Sequence, residues 1–207
     1  PFAFPAPLPR KPLLLNETFE DEPPGVTAPK AVTYGENAAG TVRVTDETAA
    51  AGRHSLKFSD AAGMDFPFNP HVWYVPNLDE GLATLVFDLR VEPGAIAVVE
   101  WRDAGAPYRT GASLTVDAGG NLTAAGRPAG RVPHGQWVRY EVTCGLGKQA
   151  SGRWSLRATG PGVDVRLDDL PCDPRFRRLE WLGFVANATE RAVFYLDNVR
   201  LRVAAAR

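Results

Sequence analysis

Short runs of alternating apolar and polar residues recur along almost the whole chain, and helical periodicity appears nowhere. In residues 82–90, Leu85, Phe87 and Leu89 alternate with Thr84, Asp88 and Arg90. This two-residue period is that of a pleated strand with one face in a core. Because no ten-residue stretch repeats apolar residues at spacings of three and four, the pattern disfavours alternating strands and helices and indicates an all-β fold.

About a dozen strands are predicted, and they favour two large sheets. The sequence therefore predicts a two-sheet antiparallel β-sandwich of jelly-roll, concanavalin A-like or galactose-binding-like type. One domain is expected over residues 13–207, preceded by a proline-rich arm or linker at residues 1–12, which contain five prolines. The predicted strands begin near Leu13 and cover 31–34, 41–45, 54–59, 83–91, 95–102, 112–117, 122–125, 136–144, 153–159, 163–167, 176–186 and 193–203.

Alternation also predicts which side chains face the core. Val138, Tyr140 and Val142 form the inward set of one strand. In residues 176–185 the inward set is Leu179, Trp181, Gly183 and Val185. In the last strand, Asp197 and Asn198 interrupt the apolar pattern where a bulge is expected.

Charge and cysteine content limit the partners. The 23 Lys and Arg residues are balanced by 24 Asp and Glu, so no bulk charge favours nucleic acid or an anionic membrane. No apolar run reaches the ~20 residues of a membrane span. Cys144 and Cys172 form either one disulfide, which would indicate an oxidising compartment, or two buried thiols.

The stretch 60–76 is predicted to be a long loop that presents aromatic rings. Its prolines stiffen the backbone, which lowers the entropy lost when exposed rings bind a ligand. His71, Trp73 and Tyr74 are the predicted exposed members, suited to stacking on the C–H faces of sugars. The alternative is that these rings form a small core beneath the loop.

A second cluster lies at residues 100–109. Arg102 is a planar, multiple hydrogen-bond donor between Trp101 and Tyr108, and Glu100 is nearby. These residues either bind a polar ligand or pair with one another.

No strong catalytic signature is present. There is no Gly-x-Ser-x-Gly nucleophile elbow, and neither cysteine lies in a recognisable activated setting. Glycoside hydrolysis needs two facing carboxylates, and Asp88, Glu100, Glu141 and Glu180 are the candidates. A polysaccharide lyase needs a base beside an arginine, a role open to His71, Tyr74, Arg102 and Tyr108. Acidic residues near both ends of the domain, Glu17, Glu20, Asp46, Asp60 and Asp197, are also suitable oxygen ligands for a structural calcium ion.

Three segments together resemble a known family. These are Phe19-Glu20, the stretch 44–47 followed by 52–58, and Phe194-Tyr195-Leu196-Asp197-Asn198-Val199. The chain resembles bacterial jelly-roll carbohydrate-binding modules and the related concanavalin A-like sandwiches of secreted polysaccharide-degrading proteins. The resemblance implies a structural calcium ion held by Glu20 and Asp197, and a secreted or cell-surface location.

The leading hypothesis is a carbohydrate-binding β-sandwich without catalytic activity. Its predicted ligand-binding residues are His71, Trp73, Tyr74, Trp101, Arg102 and Tyr108, and its partner is a polysaccharide or oligosaccharide. The first alternative is a lyase or glycoside hydrolase on the same scaffold, using His71, Tyr74, Glu100 and Arg102. The second is a structural or adhesion domain joined to other domains of a longer chain.

Overall fold

The computed structural model describes residues 11–204, and these form two antiparallel sheets packed face to face. Apart from strands and loops, this part of the chain contains one short 3-10 helix, Gly147–Gln149. The all-β sandwich predicted from the sequence is therefore confirmed. The predicted proline-rich arm lies, up to residue 10, outside the described residues. None of the helices in residues 11–204 is long and apolar enough to cross a membrane.

Fifteen strands build the two sheets. In chain order they are β1 Leu15–Glu17, β2 Val32–Tyr34, β3 Thr41–Thr45, β4 Ser55–Asp60, β5 His71–Tyr74, β6 Gly81–Val91, β7 Ala97–Arg102, β8 Thr110–Val116, β9 Asn121–Ala124, β10 Arg127–Arg131, β11 Trp137–Leu146, β12 Arg153–Gly160, β13 Val163–Pro171, β14 Trp181–Ala186 and β15 Ala192–Ala204. The eight-stranded sheet has the order β13-β12-β11-β6-β15-β4-β3, with β1 also paired to β15. The seven-stranded sheet has the order β10-β9-β8-β7-β14-β5-β2.

The core lies between the inner faces of the sheets, as the alternation predicts for β6 and β11. Phe87 of β6 stacks on Tyr140 of β11 with ring centroids 5.1 Å apart. Phe184 of β14 meets Phe87 edge-on at 5.4 Å, so these rings connect the two sheets. Large apolar contacts of this kind are the main source of stability in a sandwich.

Strand β15 is central to the eight-stranded sheet. One edge pairs with β6, and the other pairs first with β4 and then with β1. Between these two partners the register shifts at Asp197 and Asn198, and Asn198 has a φ of 52°. The predicted bulge is confirmed. It lets the buried Asp197 carboxylate accept the backbone N–H groups of Ala50 and Ala51, at 2.8 and 3.2 Å.

Three local predictions are wrong. Residues 71–74 are strand β5 rather than loop, and residues 127–131 form the unpredicted strand β10. The predicted strand 176–186 is regular only from Trp181, and its inward side chains are Leu182, Phe184 and Ala186. Trp181 therefore lies on the outer face, not in the core.

The two cysteines are free thiols in this structure, and they lie next to each other. Cys144 is buried on β11, and Cys172 follows the end of β13. The neighbouring Cys172 thiol, together with burial, raises the pKa of the Cys144 thiol. The same contact lowers the pKa of Cys172.

Candidate functional site

The outer face of the seven-stranded sheet carries a cluster of aromatic side chains. We call it the aromatic face; its members are Tyr34, Phe68, His71, Trp73, Tyr108 and Trp181. Strand pairing brings them together, because Tyr34 lies opposite His71, and Trp73 lies opposite Gly183. Residues that alternate with them, such as Tyr74 and Leu182, point into the core.

The rings form a continuous surface. His71 and Trp73 are stacked with centroids 5.4 Å apart, and Trp73 and Trp181 are stacked at 6.4 Å. Tyr34 covers His71 from the edge strand at 5.4 Å, and Phe68 meets His71 edge-on at 6.1 Å. Tyr34, Phe68 and Tyr108 are 52%, 46% and 50% exposed, so the surface is open to solvent at its margins.

Gly183 determines where the Trp181 ring lies. A Cβ atom at Gly183 would be 1.8 Å from the Trp181 indole, so the ring lies directly over the glycine. Without a side chain at Gly183, the indole can rest flat against the sheet beside Trp73. A glycine inside a strand often marks such a close approach.

A cavity of about 420 Å³ opens on this face. Its floor is apolar, formed by Val98 of β7 and Val185 of β14, which point outward from neighbouring strands. The remaining lining residues are Phe68, His71, Arg102, Tyr108, Trp181 and Asn187. An apolar cavity with a few polar groups at its wall is the usual form of a small-ligand site.

Arg102 is held rigidly at one side of the cavity. Its guanidinium carbon lies 4.1 Å from the Trp181 ring centroid and 4.2 Å from that of Tyr108, so the cation sits between two rings. Its Nε donates to Glu100 Oε1 in an ion pair. The sequence left two alternatives for this cluster, mutual pairing or a role in a binding site. Arg102 and Glu100 do pair with each other, and Arg102 also lines the cavity.

His71 presents a neutral imidazole to the cavity. Its Nδ1 lies 2.9 Å from the Phe68 carbonyl oxygen, which can only accept, so Nδ1 carries the hydrogen. Burial, together with the nearby Arg102 charge, lowers the pKa of His71 below its usual value. At pH 7 the ring is consequently uncharged, and its Nε2 is an acceptor.

Asp103 fixes the turn that carries Tyr108. Its Oδ1 accepts the N–H of Arg109 at 2.7 Å, and its Oδ2 pairs with the Arg109 guanidinium at 2.7 Å. Burial raises the pKa of Asp103, but the N–H donors of Arg109 and Gly105 and the Arg109 charge outweigh it and lower the pKa overall. The charged Asp103 carboxylate therefore stabilises the turn at every pH above its lowered pKa.

Two predicted ligand-binding residues are not on this face. Tyr74 and Trp101 are both fully buried in the core, so the expectation that Tyr74 is exposed is wrong, and Trp101 does not reach the surface of this face. They belong to the same strands as Trp73 and Arg102 but point the other way. His71 lies on the aromatic face but is only 9% exposed, so the expectation that it is exposed is also wrong.

Trp181, Tyr34 and Phe68 are the members of the aromatic face that the sequence analysis missed. Tyr34 lies at the end of a correctly predicted strand. Its partner on β5 is His71, so recognition of β5 as a strand would have identified Tyr34 as part of the site. Alternation counted from Leu179 predicts that Trp181 faces the core, whereas the structure places it on the outer face.

The predicted metal ligands, Glu20 and Asp197, each accept hydrogen bonds from backbone N–H groups. Glu20 accepts the N–H groups of Arg53 and His54, and the His54 N–H chiefly lowers its pKa. Each of the two carboxylates thus already accepts backbone N–H groups. No cluster of three or more His, Cys, Asp or Glu side chains suited to a metal occurs within residues 11–204. Calcium binding stays a prediction, testable by calcium titration.

Asp60 connects the cavity wall to β4. Its Oδ2 accepts the N–H of Ala188, which follows the cavity residue Asn187, at 2.8 Å. Burial raises the pKa of Asp60 to about 6, in spite of the donors Ala61 and Ala188. Asp197 is likewise buried, and its pKa is also about 6.

Asp60 and Asp197 are therefore expected to contribute less to stability as the pH rises from about 4 to about 7. The folded state holds these protons at a pH where unfolded aspartates, with a pKa of 3.8, have lost them. We expect Asp60→Asn to reduce this decrease by about 1–3 kcal/mol. Urea unfolding from pH 4 to 7 measures it, and Asp164→Asn, at an exposed aspartate, is the control. An unchanged pH slope in Asp60→Asn would contradict the assignment.

Comparison with known proteins gives structural matches only. No known protein family matches this sequence, and no curated protein matches it. The endo-β-1,4-glucuronan lyase from Trichoderma reesei has a TM-score of 0.59 at 12% identity, over 84% of this chain and 90% of that chain. The marine PL-14 alginate lyase from Aplysia kurodai has a TM-score of 0.61 at 10% identity, over 85% and 91%. The catalytic domain of a glycoside hydrolase family 131 protein from Coprinopsis cinerea has a TM-score of 0.58 at 12% identity, over 90% and 92%.

At these identities the similarity shows the fold. The chain is a jelly-roll sandwich of the concanavalin A-like kind, so the resemblance noted from the sequence is confirmed at that level. Function has to be argued from the site.

Proposed function

We propose that this protein binds a polysaccharide on the aromatic face of its seven-stranded sheet. The observation that carries the proposal is the continuous ring surface beside a cavity of about 420 Å³. Aromatic rings are seldom left together at the surface of a sheet without a binding role.

The chemistry of the face suits a sugar chain. The C–H faces of sugars are apolar and pack against indole and phenol rings, while the hydroxyl groups need polar partners. Arg102 supplies donors, His71 Nε2 an acceptor, and Asn187 both. The rings lie on β2, β5 and β14, and Arg102 extends the surface onto β7. Four strands span about 15 Å at the usual strand spacing, which fits an oligosaccharide better than one sugar.

The structural neighbours support the same class of ligand. By their descriptions, two are lyases of glucuronan and alginate, and one is a glycoside hydrolase catalytic domain. A protein that acts on such polymers has to reach them, so we propose a secreted or cell-surface location as part of the same hypothesis.

The second candidate function is β-elimination on a uronic acid polymer. It is favoured by one observation, namely that His71, Arg102 and Tyr108 line the same cavity. In such a reaction the neutral His71 takes the proton beside the uronate carboxylate, and Arg102 stabilises the negative charge. The C–H electrons form the new double bond, the glycosidic C–O bond breaks, and Tyr108 donates a proton to the leaving oxygen.

Binding ranks above elimination because Arg102 already has a partner. Its Nε donates to Glu100, so a uronate carboxylate would compete with an existing ion pair. Tyr74, named from the sequence as a catalytic residue, is buried and cannot act. Burial and the charge of Glu17 also raise the pKa of Tyr74.

Glycoside hydrolysis has less support. None of the four candidate carboxylates is among the described residues that line the cavity. Asp88 and Glu141 lie on strands of the other sheet, so they cannot flank one glycosidic bond together with Glu100.

Retention on immobilised polysaccharides, assayed together with released unsaturated or reducing ends, tests the proposal. We expect retention without product, and a roughly tenfold weaker affinity for Trp73→Ala, because one stacking ring is lost. Trp137→Ala is the matched control, since Trp137 is a partly exposed tryptophan on the eight-stranded sheet.

Three outcomes would change the conclusion. Product release that His71→Gln abolishes would identify a lyase instead of a binding protein. Retention lost in Trp137→Ala but kept in Trp73→Ala would move the site to the other sheet. Failure to bind any polysaccharide would leave a structural domain as the better account.

A further inference from the structure

The outer face of the eight-stranded sheet carries a separate pocket, on the opposite side of the sandwich from the aromatic face. We call it the arginine pocket; its lining residues are Thr84, Val86, Arg139, Glu141, Arg200 and Arg202. Its volume is about 300 Å³. Strands β6, β11 and β15 bring the residues together, with Val86 opposite both Glu141 and Arg200.

Positive charge dominates this pocket. Three guanidinium groups and one carboxylate line it, although the whole chain has a net charge of -1. Among residues 11–204, Arg139 is the one lining residue that forms an ion pair, and its partner is Asp88 at 3.9 Å. Arg200, Arg202 and Glu141 have no ionic partner within 4.0 Å among these residues.

Arg200 also has an unsatisfied donor. Its Nε is buried and has no hydrogen-bond partner in the described part of the chain. A buried N–H without an acceptor is destabilising, so such groups often mark a place where water or a ligand binds. Arg200 lines the pocket, so an acceptor bound there lies next to this guanidinium group.

We propose that the arginine pocket binds an oxyanion, a carboxylate or sulfate group that is either free or carried on an acidic sugar. Guanidinium groups bind such anions through paired N–H donors, and three of them surround one pocket here. The Glu141 carboxylate can accept hydroxyl groups of a sugar, and Val86 offers an apolar surface to its C–H groups. This site is independent of the aromatic face, and its existence does not depend on the function proposed there.

The test is a sulfate titration of the protein by NMR at constant ionic strength. We expect a saturable shift of the Arg200 Nε–H resonance. The Arg200→Lys variant assigns this resonance, because lysine has no guanidinium N–H and the signal disappears from its spectrum. Arg202→Gln should weaken sulfate binding about fivefold, since one charge-assisted donor is lost at a partly exposed site. Glu141→Gln should strengthen it, because a repelling charge is removed.

Arg191→Gln is the matched control. Arg191 is an exposed arginine just before β15, about 30 Å along the strand from Arg200, so its loss changes the net charge but not the pocket. Trp181→Ala should also leave sulfate binding unchanged, which separates this site from the aromatic face. A free hexuronate oligosaccharide that binds more tightly than sulfate at the same resonance would show that the anion is carried on a sugar.

Two results would overturn the proposal. One is the absence of a saturable Arg200 shift with both sulfate and the hexuronate oligosaccharide. The other is an equal effect of Arg202→Gln and Arg191→Gln, which would indicate general charge screening.

Discussion

Replacing Gly183 with alanine is expected to weaken polysaccharide binding by about 30-fold, although every ring of the aromatic face is still present in the sequence. The added Cβ would lie 1.8 Å from the Trp181 indole, which is far inside van der Waals contact. The indole therefore has to leave its place beside Trp73. Loss of one well-placed ring from the binding surface corresponds to about 2 kcal/mol.

The backbone at Gly183 is not the cause of this effect. Gly183 is not among the glycines with a positive φ, and it lies in a regular strand where alanine is readily accommodated. We therefore expect the fold to persist, as checked by circular dichroism. Binding is measured by calorimetry with the polysaccharide that the retention assay identifies.

A double-mutant cycle tests whether the effect passes through Trp181. If Gly183→Ala acts by displacing that ring, then the double variant Gly183→Ala/Trp181→Ala should bind no more weakly than Trp181→Ala alone. Additive losses would contradict this mechanism. Normal binding by Gly183→Ala would show that Trp181 is not part of the site.

The strand pattern predicted most of the sandwich because burial on one face imposes a two-residue period. It was correct for β6 and β11, where every second residue from Leu85 and Val138 is buried. It failed at β14 because Leu179 is buried through an isolated bridge to Leu78, before the regular strand begins. Glu180 and Trp181 are consecutive partly exposed residues, so the alternation changes phase between them. A one-residue change of phase moves every side chain to the other face.

Strand β5 was missed for a different reason. Pro70 and Pro76 flank it closely, and prolines are strong indicators of loops. The sequence identifies the residue types of the site. To choose between His71, Trp73 and Tyr74, however, one must know which face of the sheet each side chain lies on. Once residues 71–74 form a strand, Trp73 and Tyr74 lie on opposite faces, and the structure places Trp73 outward and Tyr74 inward.

Trp101→Ala is expected to lower the free energy of unfolding by about 3–5 kcal/mol. Trp101 is fully buried, and truncation of a buried tryptophan leaves a large cavity that the sandwich cannot fill. For a chain of this length the melting temperature should fall by about 8–15 °C. Urea unfolding and calorimetry measure the change.

Trp181→Ala is the matched comparison on the neighbouring strand, where Trp101 lies opposite Leu182. It should change stability much less, since Trp181 is partly exposed, yet it should lose polysaccharide binding. A second control is Tyr140→Phe, because the buried Tyr140 hydroxyl has no partner within residues 11–204. Removal of that hydroxyl should leave stability unchanged or raise it. Loss of binding in Trp101→Ala with unchanged stability would contradict this prediction. Trp101 would then contact the ligand, and it would not point into the core as the structure places it.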